Sequence, residues 1–487
     1  MKMKVQYNAT HIAALILLSA SMISTAWGQA ESQGPPPGGP DEMSEGGPDG
    51  MPGGGMPEMK HAQAIYVDAG KLVAEKSTSA AVSGGKSGDN FATGIKIFSK
   101  TDDFGGIIVK GGKSIYTLSD ATIDLYGNGN SEGTTVGATV DEGGTLILRN
   151  VKITTNGLNS STVSAGNRST LRVFDSTLRA KDGKPLAGVK YPEWPARGAL
   201  GAPTPLNLEG YSRDTLVLSN SVAYYYNSTI ISDGWGALST DGANGFLYLE
   251  ANDCDIRTIK AGYGTYADTG ATVVINNSKM NNGGYAGIIA GQANMTFNNV
   301  TGTSGRNEVM IHNVTHLGTG AEIGTLKIKG GHMVTEQAAL LVKSANADIT
   351  LDGAELVAKN GILVQSRIND DSGYTKTNGK KVTGIRVKLK NENLEGNFIH
   401  EDPDREMTLT FTASKLKGSV KNATLKLDAA SKWTATANST VTLLGKTEVA
   451  SIDAPSGVTV NATAGKDCSL KGNYTLASGG VLTVSAN

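Results

Sequence analysis

A short motif recurs along this chain: an apolar alternation, then Asn or Asp, then a second alternation, then Gly. The clearest copies run over 145–153 (Thr-Leu-Ile-Leu-Arg-Asn-Val-Lys-Ile) and 170–178 (Thr-Leu-Arg-Val-Phe-Asp-Ser-Thr-Leu). Others lie around Asn227, Asp253, Asn277, Asn299 and Asp352. The markers Asn150, Asp175, Asn227, Asp253, Asn277 and Asn299 are separated by 25, 52, 26, 24 and 22 residues, the 52 being two repeats or one repeat with an insertion. A unit of this length holds three short strands and cannot bury its own apolar face. Stacking the units does so, which points to an all-β solenoid, a parallel β-helix. Propeller blades and leucine-rich repeats fit worse, because neither a Trp-Asp signature nor a Leu/Asn pattern is present. The Asn/Asp position reads as a tight turn, since these residues tolerate the left-handed conformation and bond the local backbone. The 63 glycines and the 6% aromatic content agree with many short strands joined by turns. A solenoid also accommodates 487 residues without dividing into globular domains.

The repeat begins near residue 64. Before it, Lys2 and Lys4 precede a short apolar stretch from Ile12 to Ile23 and then small residues, the pattern of a secretory signal peptide over 1–30. No cysteine follows it, and no second apolar stretch is long enough to span a bilayer. The expectation is therefore a secreted, periplasmic or cell-surface protein with no transmembrane segment once the signal is removed. Residues 31–63 are rich in Gly, Pro and Met and read as a disordered tether. Met43, Met51, Met56, Met59 and His61 are spaced too irregularly for a soft-metal site, and plain disorder is the simpler account. The β-helix is expected over 64–404, interrupted by an insertion at 182–213, with plainer coils over 405–487. Cys254 and Cys468 are far apart and read as small buried residues. A formal net charge of -1 without a basic block gives no sign of nucleic-acid binding.

The coils resemble those of the right-handed parallel β-helix superfamily, which includes pectate lyases, polygalacturonases and adhesin-like passengers. The likeness covers about 64–487, and it specifies fold better than function. The alternations at 423–427, 433–436 and 481–484 are similar to the tail of adhesin-like passengers. Ser239-Thr240-Asp241-Gly242 is similar to a polygalacturonase motif, but Ser stands for its Asn. The family's Asp-Asp pair and Gly-His-Gly do not follow, and Tyr263 occupies the place of the His. His312, His316, His332 and His400 show no metal-ligand spacing.

Strand parity locates candidate chemistry. After the Asn/Asp turn, one outward column reads Lys152, Thr177, Thr229, Asp255, Lys279, Thr301, and the next Thr154, Arg179, Ile231, Arg257, Asn281, Thr303. Asp255, Arg257 and Lys279 should then share a solvent face, as a functional group or as a mutually paired surface. Aligning the Gly-led segments at 234, 262, 284 and 305 puts Leu238, Tyr266, Ile288 and Val309 inward and Trp235, Tyr263, Tyr285 and Arg306 outward. An outward aromatic column suits sugar binding. An internal aromatic stack is the competing reading, and one bulge would invert the parity. The insertion carries Tyr191, Glu193, Trp194, Arg197, Tyr211 and Arg213, and it emerges after Arg179.

These features predict one cleft, roofed by 182–213, for an extended polysaccharide or cell-surface glycan. Trp235, Tyr263, Tyr285, Arg179, Trp194 and Asp241 would bind substrate. In a lyase, Arg257 or Lys279 would take the proton while Asp255 orients the base or holds Ca²⁺. In a hydrolase, Asp241, Asp253 and Asp255 are the candidate carboxylates, although Asp253 reads first as the turn residue. A non-catalytic adhesin-like solenoid, or one that pairs a partner along an open strand edge, are the alternatives.

Overall fold

Alternation in the repeat becomes a stack of coils that contribute three strands each until Val420–Leu427, a single strand that continues both a third and a first strand, after which each coil contributes two. The computed structural model describes residues 62–129, 135–183, 206–241, 245–313, 321–369 and 383–486. The first strand of a coil, such as Val222–Tyr226, ends at the Asn/Asp turn. The second, such as Thr229–Ser232, follows it, and the third, such as Gly236–Thr240, completes the coil. Each strand pairs in parallel with its counterparts above and below, so Val222–Tyr226 lies between Thr170–Phe174 and Leu247–Asn252. First and third strands belong to one 31-stranded sheet and second strands to an 11-stranded sheet, with a further four-stranded sheet toward the C-terminus. Antiparallel pairs among the described strands are confined to the two ends, within 62–99 and 472–486. The chain is a parallel β-helix.

The Asn/Asp turns stack as one ladder. The six marker residues all have φ between 47° and 53°, the left-handed region where their side chains are tolerated. Each backbone N–H reaches the next coil, as from Asn227 to the Asn252 carbonyl at 3.0 Å. Side chains link neighbours too: Asn227 Nδ2 donates to Asp175 Oδ1 at 2.7 Å. Beneath them Ser176, Ser228 and Ser278 accept backbone N–H groups from the coil before. Asp175 and Asn227 flank adjacent strands, with Phe174 opposite Tyr226, so the 52-residue interval is one coil with an insertion.

Among the buried carboxylates of the described residues, Asp214 and Glu308 are the most enclosed. Asp214 is fully buried; it accepts from Thr162 Oγ1 at 2.7 Å and from the Ala180 N–H at 3.0 Å, and burial pushes its pKa up to about 8. Glu308, also fully buried, has no hydrogen-bond partner on either oxygen, and burial pushes it up to about 8.

Candidate functional site

The charged columns lie on the outer face of the 11-stranded sheet. Asp255 stands opposite Lys279, and Arg257 opposite Asn281. Arg257 forms a two-point fork on Asp255 of its own strand, with Nε to Oδ1 at 2.7 Å and Nη2 to Oδ2. The hydrogen bonds that it donates to Asp255 hold the guanidinium pKa above its ordinary value, which opposes its use as a proton acceptor. Asp255 in turn gives both oxygens to that fork. The described residues contain no group of three or more His, Cys, Asp or Glu that could hold a metal. Lys279 is exposed.

The aromatic column departs from expectation. Tyr263 and Tyr285 are each only 2% exposed, so they do not line a solvent cleft. They form a cluster separate from the main core, with Leu206, Leu208, Ile288, Met310 and Leu341, and Trp235 packs against it. Tyr285 Oη donates to the Leu206 carbonyl at 3.1 Å, while Tyr263 Oη meets Ser239 Oγ at 2.9 Å. The returning end of the insertion covers these rings because that removes apolar surface from water while each phenol keeps a polar partner. A Cβ at Gly236 would come 2.0 Å from Tyr263 Cε2, so the glycine makes room for the ring.

Register explains why parity failed. Leu238 lies opposite Thr265, and Tyr266 lies opposite Ser239 and Ile288. Ile288 then meets Met310, not Val309. The expected inward column is therefore split by a one-residue offset: Leu238 and Val309 enter the main core, while Tyr266 and Ile288 belong to the second cluster.

The rest of the corner is latched by ion pairs. Asp182, whose side chain is 4% exposed, accepts from Lys260 Nζ at 2.8 Å and from the Tyr211 and Ser212 N–H groups at 2.9 Å each. Arg179 pairs with Asp233 at 2.6 Å. Arg213 pairs with Asp241 at 2.5 Å and lies 4.5 Å over the Trp235 ring. Trp235 has φ 27°, and its N–H donates to the Glu209 carbonyl at 2.5 Å. Arg179, Asp241 and Trp235 are thus gathered at one corner, each with a partner. Trp194, the signal peptide and the 31–63 leader as far as residue 61 lie outside the described residues, and residues 62 and 63 already belong to the strand Ala62–Asp68.

An aromatic group that parity arguments missed lies on the outer face of the first strands. In Tyr224-Tyr225-Tyr226 the middle ring points inward, fully buried, with Oη 2.8 Å from Thr215 Oγ1. The flanking rings point outward and are half-buried. Tyr226 lies opposite Phe174, and their rings stack at 5.0 Å and 9°, with the Arg149 guanidinium 4.1 Å over Phe174. Tyr224 and Tyr248 lie 5.7 Å apart but tilted by 47°, so they do not close on each other's faces. Tyr248 Oη donates to Glu250 Oε2 at 2.7 Å, and Asn252 Nδ2 to Oε1 at 3.0 Å. Asn276 and Asn298 extend that chain at 2.8 Å per step. Burial raises the Tyr224 and Tyr226 pKa values, so both phenols stay neutral hydrogen-bonding groups. The Tyr-Tyr-Tyr run beside Phe174 was the available signal. No family model, curated protein or solved structure matches the chain.

Proposed function

We propose that this β-helix is an exported, glycan-binding solenoid, and that an extended polysaccharide lies across the aromatic platform of Tyr224, Tyr248, Tyr226 and Phe174. The observation that carries this reading is the set of four outward rings on three successive coils, bordered by Arg149, Arg172, Glu250 and Asn252. The Phe174–Tyr226 stack, capped by Arg149, is the rigid support. The tilted pair Tyr224 and Tyr248 offers ring surface for the apolar face of a sugar, with Glu250 and Asn252 at its edge for hydroxyls. Export follows from the N-terminal signal, and kinship with the right-handed β-helix superfamily belongs to the same reading.

The test is binding of soluble polysaccharides to the mature chain by calorimetry. Tyr248→Ala and Tyr224→Ala should each weaken binding about five- to tenfold, with little change in Tm, since a partly exposed ring contributes about 1 kcal/mol of contact. Full-strength binding by both variants would remove the platform from the account. The same incubations assayed for new chain ends report on cleavage. Chain ends that appear with the wild type and vanish with Lys279→Ala would make the protein an enzyme.

A further inference from the structure

Farther along, the same outer face changes character. Over the strands Ile323–Lys329, Asn346–Asp352, Ile385–Lys390, Met407–Thr412 and Val420–Leu427, register puts the outward residues into three columns. The first reads Thr325, Asp348, Arg386, Thr408, Thr424; the second Lys327, Thr350, Lys388, Thr410, Lys426; the third Lys329, Asp352, Lys390, Thr412. No apolar side chain stands among them. Six cations face two carboxylates, a net of four positive charges on a chain whose overall formal charge is -1. Arg386 is spent on a fork to Asp348, with Nη2 to Oδ2 at 2.8 Å. Asp352 accepts Asn391 Nδ2 at 3.0 Å. The lysines at 327, 329, 388, 390 and 426 are exposed and form no ion pair with a described residue.

The spacing is regular. Lys327, Lys388 and Lys426 recur on every second coil, as do Lys329 and Lys390. At about 4.8 Å per coil the charges repeat at about 10 Å along the axis. An extended sugar chain advances by roughly one coil per residue, so the repeat matches a polymer charged on alternate sugars. Ammonium groups act as point charges and serve tetrahedral oxyanions well, whereas planar carboxylates gain most from a guanidinium fork, and the one guanidinium here is taken.

From this placement we infer that the lysine columns bind a glycan bearing a sulfate or phosphate ester on alternate residues, as a continuation of the aromatic platform. The inference rests on the glycan-binding reading and adds the class of polymer. The probes are galactan oligosaccharides carrying one sulfate per disaccharide, the same oligosaccharides phosphorylated instead, their unesterified parent, and polygalacturonate. Either ester should bind the mature chain about tenfold more tightly than the parent, with the advantage shrinking as salt rises. Which of the two binds better identifies the ester. The double variant Lys388→Gln with Lys390→Gln should erase the advantage and leave binding of the parent intact. Equal binding of esterified and parent chains, with loss in Tyr248→Ala, would overturn the polyanion and keep the platform. Polygalacturonate binding as tightly as the esters would overturn the alternate-charge match. Binding of none of the four would overturn both readings.

Discussion

The insertion corner and the flat face of the first strands both collect aromatic rings and arginines, and they use them in opposite ways. At the corner, Tyr263 and Tyr285 are sealed under Leu206 and Leu208, and Arg179, Arg213, Asp182 and Asp241 are each matched with an opposite charge. On the flat face, Tyr224, Tyr226 and Tyr248 stay half-open, and Arg149 and Arg172 lie against rings. A residue list alone makes the corner look like the site. What differs is cover: the corner is the place where the chain folds back on itself, so its chemistry is consumed in holding the insertion down. The flat face carries no such strap among the described residues, and its groups remain available.

The largest effect should come from exchanging which rings are removed. Tyr263→Ala deletes a fully enclosed ring and leaves a cavity over Gly236, with the Ser239 hydroxyl losing its partner. It should cost about 3–5 kcal/mol of stability, read as a lowered denaturation midpoint. Tyr248→Ala should cost well under half of that and act on binding instead. If Tyr263→Ala leaves the midpoint unchanged while abolishing glycan binding, the two regions have been assigned the wrong way round.

The fold was legible because the turn residue is largely dictated by backbone conformation: where the chain takes φ near 50°, Asn, Asp or Gly stands in most coils, as at Asn150, Asp253 and Gly353, with Ser344 and Ala413 among the exceptions. The outward columns after the turn were legible for the same reason, since those strands are short and regular from Lys152 to Thr303. The third strands were not. Ala237 and Leu238 both enter the core, an irregularity that period-two reasoning cannot anticipate. Nor does parity say what lies above an outward residue. Outward Tyr263 and outward Tyr248 look alike in sequence, and only the path of Leu206–Leu208 separates them.

A second effect probes the interior behind the two faces. Glu308 ionises near 4.5 in the unfolded chain and near 8 in the fold, because burial without a partner disfavours its charge. Between those values the folded chain holds a proton that the unfolded chain has released, so stability falls as pH rises through the window and levels off above it. Glu308→Gln stays neutral throughout. It should match the wild type near pH 4 and become progressively more stable than it up to pH 8, by on the order of 4 kcal/mol there. Asp214, also pushed up to about 8, keeps part of the slope in the variant. Denaturant melts of both proteins across this range check the point, and parallel curves at every pH would mean that Glu308 is not buried as a neutral acid.

The smallest effect belongs to the charged column of the 11-stranded sheet, and it bears directly on whether the corner does chemistry. Arg257 and Asp255 are 44% and 28% exposed, so their fork exchanges with water and is screened by salt. As a surface pair it is worth about 1 kcal/mol or less, and Arg257→Ala should lower the denaturation midpoint only slightly, less so at high salt. The pair lies on a different sheet from the aromatic platform, so the variant should bind glycan like the wild type. A group that acts mainly in a transition state gives another pattern, in which binding persists and turnover is lost. Chain cleavage by the wild type that disappears in Arg257→Ala would therefore move catalysis to this column and leave the flat face as the track that delivers substrate to it. Unchanged behaviour in every assay would leave the fork as a solvated pair that orders its own strand.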